Sequence, residues 1–178
     1  MKEKKMALTI KDITLIGMMV ALIEVCKVAL AWAPNIEMTS FLLIMFTLFF
    51  GRKIVFVVPV FVLIEGAMYG VGDWWIMYLY TWPILVCLTW LFRKQDSVWF
   101  WCTVSSLFGF SFGFLCSFTY AAIGAINGGI RNGLVVGFAK WVSGIPFDIL
   151  HGLGNFVIMM ILYHPVRIIL KEAGKRYD

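Results

Sequence analysis

The chain has 178 residues, 62% hydrophobic and only 14% charged, with a net charge of +5 and a mean hydropathy of +0.91. Soluble domains run near half apolar and a quarter charged, so a soluble core of this size could not hide so much apolar surface, and lipid must solvate part of it. The length suits one membrane domain of packed helices without a nucleotide-binding domain. The positive charge gathers at helix ends, as orientation signals do, and does not form a nucleic-acid surface.

The basic start, Met1 to Lys5, precedes an apolar run as in a signal peptide. The run is too long and lacks a small-residue cleavage site, so it reads as the first membrane helix. Thr9-x-x-Asp12 forms a variant capping box at the start of this helix, which spans 10–32. Ala33-Pro34-Asn35 breaks it, and Asn35 is placed to cap a second helix over 35–50. Gly51-Arg52-Lys53 is a tight polar turn before a third helix over 54–69, with Pro59 as a kink. Gly70-Val71-Gly72-Asp73 makes the next turn, and a fourth helix covers 74–92. Arg93-Lys94-Gln95-Asp96-Ser97 ends it, and a fifth helix covers 98–122. Residues 124–144 are glycine-rich and only moderately apolar, which predicts a long outer loop holding a short helical piece over 134–142. Pro146, a favoured first-turn residue, opens a sixth helix over 146–170.

Charge orients these segments. Lys2, Lys4, Lys5, Lys11, Arg52, Lys53, Arg93, Lys94, Arg167, Lys171, Lys175 and Arg176 fall on one side, 12 of the 15 basic residues. The other side carries Arg131 and Lys140, and Lys27 lies within the first helix. The positive-inside rule therefore predicts an all-α bundle of six transmembrane helices with both termini in the cytoplasm.

Polar groups inside membrane helices are costly and mark function. Glu37, Asp73, Trp74, Arg131, Lys140, Trp141 and Asp148 fall on or just inside the outer side. Lys27, Glu65, His151 and Asn155 lie in the outer or middle part of their helices. Together they predict a polar, aromatic-lined cavity opening outward. Asp148, His151 and Asn155 share one helical face by their spacing of three and four; Asp148 and His151 read as ligand contacts, with ties between helices as the alternative, and Asn155 suits either role. Trp75, Tyr78 and Trp82 share a face in the fourth helix. Trp74 and Trp75 suit an interfacial aromatic belt, whereas Trp82 lies deeper and Tyr78 could stack on a flat ligand. Glu24 and Lys27, three apart, can pair with each other. Gly17-Met18-Met19-Val20-Ala21 is a small-xxx-small step.

Cys26, Cys87, Cys102 and Cys116 form no CxxC pair and read as small buried hydrophobes. No Walker A or HExxH sequence is present. His164 lies 13 positions from His151, roughly 20 Å along a helix, too far to share a metal. No cofactor, metal or catalytic set is expected.

Six helices in this length, the step Gly17-x-x-x-Ala21, and a polar outer half together resemble the substrate-binding S component of energy-coupling factor (ECF) transporters. The resemblance extends to the segments Pro34-Asn35-Ile36-Glu37 and Trp141-Val-Ser-Gly-Ile-Pro146-Phe-Asp148-Ile-Leu-His151-Gly-Leu-Gly-Asn155-Phe. The family's usual first-helix motif is Ala-x-x-x-Ala, from which Gly17 departs. The resemblance implies a multi-pass protein of a prokaryotic plasma membrane that binds a vitamin or vitamin-like micronutrient from outside. It implies Gly17 and Ala21 as the docking face for a membrane coupling subunit, which two cytoplasmic ATPases drive. The substrate-contact set then comprises Glu37, Asp73, Trp74, Tyr78, Arg131, Lys140, Trp141, Asp148, His151 and Asn155. The aromatic residues favour a ring system, with flavins, pyrimidine or pyridine vitamins, modified nucleobases and corrinoids all open. The rival reading is a small intramembrane enzyme using Asp148 and His151 as an acid–base pair. A self-assembling channel fits less well, because the inner half carries no polar stripe.

Overall fold

The computed structural model describes residues 8–177, with side chains to residue 174. The basic residues Lys2, Lys4 and Lys5 lie outside the described residues, as do the side chains of Lys175 and Arg176. Every regular element among the described residues is helical: α1 (Ile10–Ala29), α2 (Thr39–Phe50), α3 (Ile54–Tyr69), α4 (Asp73–Leu91), α5 (Val98–Phe110) and α6 (Phe112–Tyr177). A 3-10 turn at Gly51–Lys53 joins α2 to α3. Three stretches, Thr39–Tyr69, Asp73–Leu91 and Val98–Gly174, are long and apolar enough to cross a membrane.

Local chemistry sets the ends. Asp12 N–H donates to the Thr9 hydroxyl, and Thr9 N–H donates back to the Asp12 carboxylate at 2.9 Å, which satisfies free amides at the start of α1. α2 is apolar on all sides, and everything from Thr39 to Thr47 is buried, as expected of a helix enclosed by others. It packs against α4 and α6 as well as α1 and α3. Asn35 does not cap it; the N–H of Ser40 donates instead to the Glu37 carboxylate, at 3.0 Å.

The glycine-rich region 124–144 is where the structure departs most from the sequence expectation. It is not a loop. α6 is helical on both sides of one break at Gly128 and Gly129, where Gly129 has φ +78°. Its limbs, 112–127 and 130–177, fold back on each other. A Cβ placed on Gly133 would meet the Ala121 carbonyl oxygen at 2.5 Å, and one on Gly137 the Ala121 side chain at 2.7 Å. Farther down, α5 meets the second limb where Gly109 faces Gly152, with 2.8 Å between a hypothetical Gly109 Cβ and the Gly152 backbone. Small residues here let two backbones touch rather than breaking a helix. Pro146 lies inside the second limb instead of opening it.

Two ion pairs gather chain segments at one end of the bundle. Lys53 reaches Asp12 at 2.8 Å, and Arg167 reaches Asp96 at 2.7 Å. These join the start of α1 to the α2–α3 turn, and the α4–α5 connection to the second limb of α6. The connection 30–38 and the α3–α4 turn lie at the other ends of their helices.

Candidate functional site

The polar groups of α1 and α3 meet first. Lys27, near the end of α1, forms an ion pair with Glu65 of α3, with Glu65 Oε2 as the acceptor. Lys27 therefore pairs across helices and not with Glu24, its neighbour in sequence. Glu65 is wholly buried. The Glu24 carboxyl is shielded and lies within hydrogen-bond reach of Glu65.

Around this pair lies a cavity of about 370 Å³, lined by Lys27, Val28, Ala31, Glu65, Tyr69, Trp74 and Tyr78. A second cavity, about 190 Å³, adjoins it through Lys27 and Tyr78 and reaches Glu37, Thr39, Trp82 and His151. The rings form a continuous wall. Trp74 meets Tyr78 at 5.4 Å between centroids, Tyr78 meets Trp82 at 5.3 Å, Trp82 meets Phe112 at 5.6 Å, and Phe112 meets His151 at 4.9 Å. The wall thus runs through Trp74, Tyr78 and Trp82 at four-residue spacing. Trp75 turns away and donates its indole N–H to the Val62 carbonyl at 2.8 Å. Larger grooves along α4, of about 460 and 490 Å³, have no charged lining.

Glu37 and His151 close the second cavity. His151 Nε2 lies 3.0 Å from Glu37 Oε1, a contact between the connection 30–38 and α6. Burial pushes the Glu37 carboxyl up, but His151 and the Ser40 amide outweigh it and hold the group below its ordinary value. Glu37 is thus a carboxylate fixed in place by two partners. Asn35 adopts φ +58° in the same connection, a conformation that asparagine tolerates better than most residues, and it also lines this cavity.

The other expected contacts are placed elsewhere. Asp148 Oδ1 accepts the Gly113 N–H at 2.8 Å, at the start of α6 where the α5 ladder has been interrupted. A Cβ on Gly113 would come within 2.5 Å of the same carboxylate, so a larger residue would push Asp148 from this position. Asn155 donates to the Ser105 carbonyl at 3.3 Å. Both side chains tie the second limb of α6 to α5 and the first limb, and neither lines the two cavities. Arg131, Lys140 and Trp141 belong to the α6 hairpin, where the Lys140 ammonium lies 4.5 Å from the Tyr120 ring and Trp141 packs at 5.2 Å from Phe114. Asp73 is an exposed first-turn residue of α4. The cavities therefore bring together Glu37, Trp74, Tyr78 and His151 of the expected set, and add Lys27, Asn35, Thr39, Glu65, Tyr69, Trp82 and Phe112. Intramembrane charge is the signal in the sequence that points to Lys27 and Glu65.

These positions separate two roles on one helix face. Asp148→Ala and Asn155→Ala each remove a buried helix–helix hydrogen bond, worth roughly 1–3 kcal/mol when the partner is left unsatisfied. Both variants should melt at lower temperature and keep their ligand affinity. His151→Ala should instead weaken ligand binding by about ten- to a hundredfold. Melting curves and dissociation constants measured on all three variants check this. Weakened affinity at Asp148 or Asn155 with an unchanged melting temperature would reassign that residue to the ligand.

No family model, no curated protein and no solved structure matches the chain.

Proposed function

We propose that this chain is the membrane-embedded substrate-binding subunit of an ECF-type importer, which captures a vitamin-like micronutrient from outside the cell. The supporting observation is the pair of adjoining cavities that share Lys27 and Tyr78 and are walled by rings and buried charge. Concave, largely apolar sites with a few fixed polar groups are the usual form of small-molecule pockets. In this reading six helical segments cross the bilayer. The α1 start, the α2–α3 turn and the α4–α5 connection face the cytoplasm with their basic residues, and both termini lie on that side. The cavities then open near the outer face. The sequence carries no Walker A phosphate loop, so a coupling subunit and two ATPases would supply the energy.

Asp148 and His151 have different partners, Gly113 and Glu37, which disfavours an enzyme built on that pair. The deciding experiment is purification of the chain from its native host, followed by mass spectrometry of the extracted small molecule. A stoichiometric ligand returned chemically unchanged supports the reading. Steady conversion of that ligand into a product by the purified chain would replace it with an enzyme.

Orientation has its own test. With Cys26, Cys87, Cys102 and Cys116 replaced, single cysteines at Gly72 and Asn127 should react with an impermeant maleimide from outside intact cells. Cysteines at Lys53 and Lys94 should react only after lysis. External labelling at Lys94 would break the six-span arrangement.

A further inference from the structure

The charged and indole groups lining the two cavities fall into two sets. The carboxylates, which accept hydrogen bonds, are engaged. Glu37 Oε1 lies 3.0 Å from His151 Nε2, and its Oε2 accepts the Ser40 N–H at 3.0 Å. Glu65 Oε2 takes Lys27, and the same carboxyl lies within hydrogen-bond reach of Glu24. The groups that can only donate are not fully used. An ammonium carries three N–H groups, and among the described residues Glu65 is the one hydrogen-bond partner of Lys27. The Lys27 side chain is 28% exposed and lines both cavities. Trp82 lines the smaller cavity and is 2% exposed, and its shielded indole N–H has no acceptor. A buried donor left without a partner is costly.

Rings stand beside these donors. Tyr78 lies 5.3 Å from Trp82 and 5.4 Å from Trp74 between centroids, and the Lys27 ammonium lies 5.2 Å from the centre of the Tyr78 ring. That ammonium already takes the cation position, so a second cation would meet its charge. What a ligand can add is an acceptor for the free N–H groups and a flat face for the rings.

We infer that the adjoining cavities take a flat ring whose edge carries hydrogen-bond acceptors, ring carbonyls or ring nitrogens, of the pyridone or pyrimidinedione class. The acceptor edge enters the smaller cavity and meets the Lys27 ammonium and the Trp82 indole N–H. The ring lies against Tyr78 and Trp74, and cationic rings without an acceptor are rejected. This names the substrate class of the importer and rests on that reading for the cavities being the substrate's.

The test uses three flat rings of similar shape. 1-Methyl-2-pyridone carries a carbonyl acceptor, o-xylene has a methyl in its place, and 1-methylpyridinium carries a positive charge and no acceptor. Their saturable binding to the full chain in phosphatidylcholine nanodiscs is measured by ligand-observed NMR, with empty nanodiscs as the blank. The pyridone should bind about tenfold or more tighter than o-xylene, because a site with free donors rejects an analogue that cannot satisfy them. The pyridinium should show no saturable binding. Trp82→Phe should weaken the pyridone by roughly tenfold and leave o-xylene within about threefold. In nitrogen-15 spectra, the indole resonance missing from that variant should shift when the pyridone is added to the parent and stay still with o-xylene. If the variant does not fold, the wild-type ranking alone decides. The pyridinium or o-xylene binding as tightly as the pyridone, an indole resonance that the pyridone does not move, or no binding by any of the three overturns the inference. A ligand extracted from the native protein that lacks a ring carbonyl or ring nitrogen would also overturn it while leaving the import reading intact. An extracted ligand that the chain chemically converts would fail the import reading, and the three-compound ranking would still report whether the cavities select an acceptor.

Discussion

Gly109→Leu should sharply lower the stability and yield of the folded protein. A Cβ at this position would lie 2.8 Å from Gly152 Cα and N and 2.9 Å from the His151 carbonyl carbon. All three are backbone atoms, which cannot rotate aside as a side-chain tip can. The leucine must therefore force α5 away from the second limb of α6. Overpacking of a close-fitted core costs about 1–3 kcal/mol even when side chains can adjust. The same separation breaks the Ser106 hydroxyl bond to the Gly152 carbonyl and the Asn155 bond to the Ser105 carbonyl, each worth roughly 1 kcal/mol net. Against a total stability on the order of 5–15 kcal/mol, that sum removes much of the margin. Yield of monodisperse protein and its melting temperature provide the measurement, with Gly109→Ala as the milder step. A leucine variant that melts like the parent would show that the two helices are not held at this distance.

Ala21→Trp should abolish uptake and leave the isolated protein otherwise normal. Gly17 and Ala21 are both exposed on α1, and a Cβ on Gly17 would meet nothing within 4 Å. Among the described residues no helix covers that face, so a large ring there meets no internal neighbour. It would, however, hold a docking helix off by several ångströms, and close approach through small residues is what such faces provide in membranes. Glu24 does not interrupt the face, because its carboxylate is shielded on the side toward Glu65. In cells that supply the coupling subunits, uptake should fall at least tenfold, with ligand affinity within about twofold of the parent. Equal loss of affinity and uptake would place Ala21 in the internal packing, and unchanged uptake would remove α1 from the docking surface.

The helical character was legible because long apolar runs and polar turns are local signals. The shared face of Asp148, His151 and Asn155 was also legible, since helical periodicity alone sets it. What each residue touches was not. Gly113 is 35 residues from Asp148, Ser105 is 50 from Asn155 and Glu37 is 114 from His151, and no local pattern encodes those separations. Local spacing even misdirected Lys27, whose neighbour Glu24 offered a nearby pair while Glu65, 38 residues away, forms the observed one. Residues 124–144 were misread for a different reason. Glycine weakens an isolated helix in water, but against a second helix its missing side chain becomes packing surface. The same residues that suggested a loop make the α6 hairpin close.

That hairpin should also set an order for folding. Near its tip, Asn132 bonds to the Gly124 carbonyl across only eight residues, so little chain entropy is lost in closing it. Each further contact down the zipper, through Gly137, Asp148 and Gly152, lengthens the closed loop in small steps. Local zipping of this kind should bring His151 beside Phe112. Glu37, 114 residues away, must arrive by a long-range search, which is the slow class of contact. Pulsed hydrogen exchange should accordingly protect the hairpin amides before Ser40 N–H, whose acceptor is Glu37. On this ordering the contacts of the connection 30–38 with α6, which include the lining of the smaller cavity, should form late.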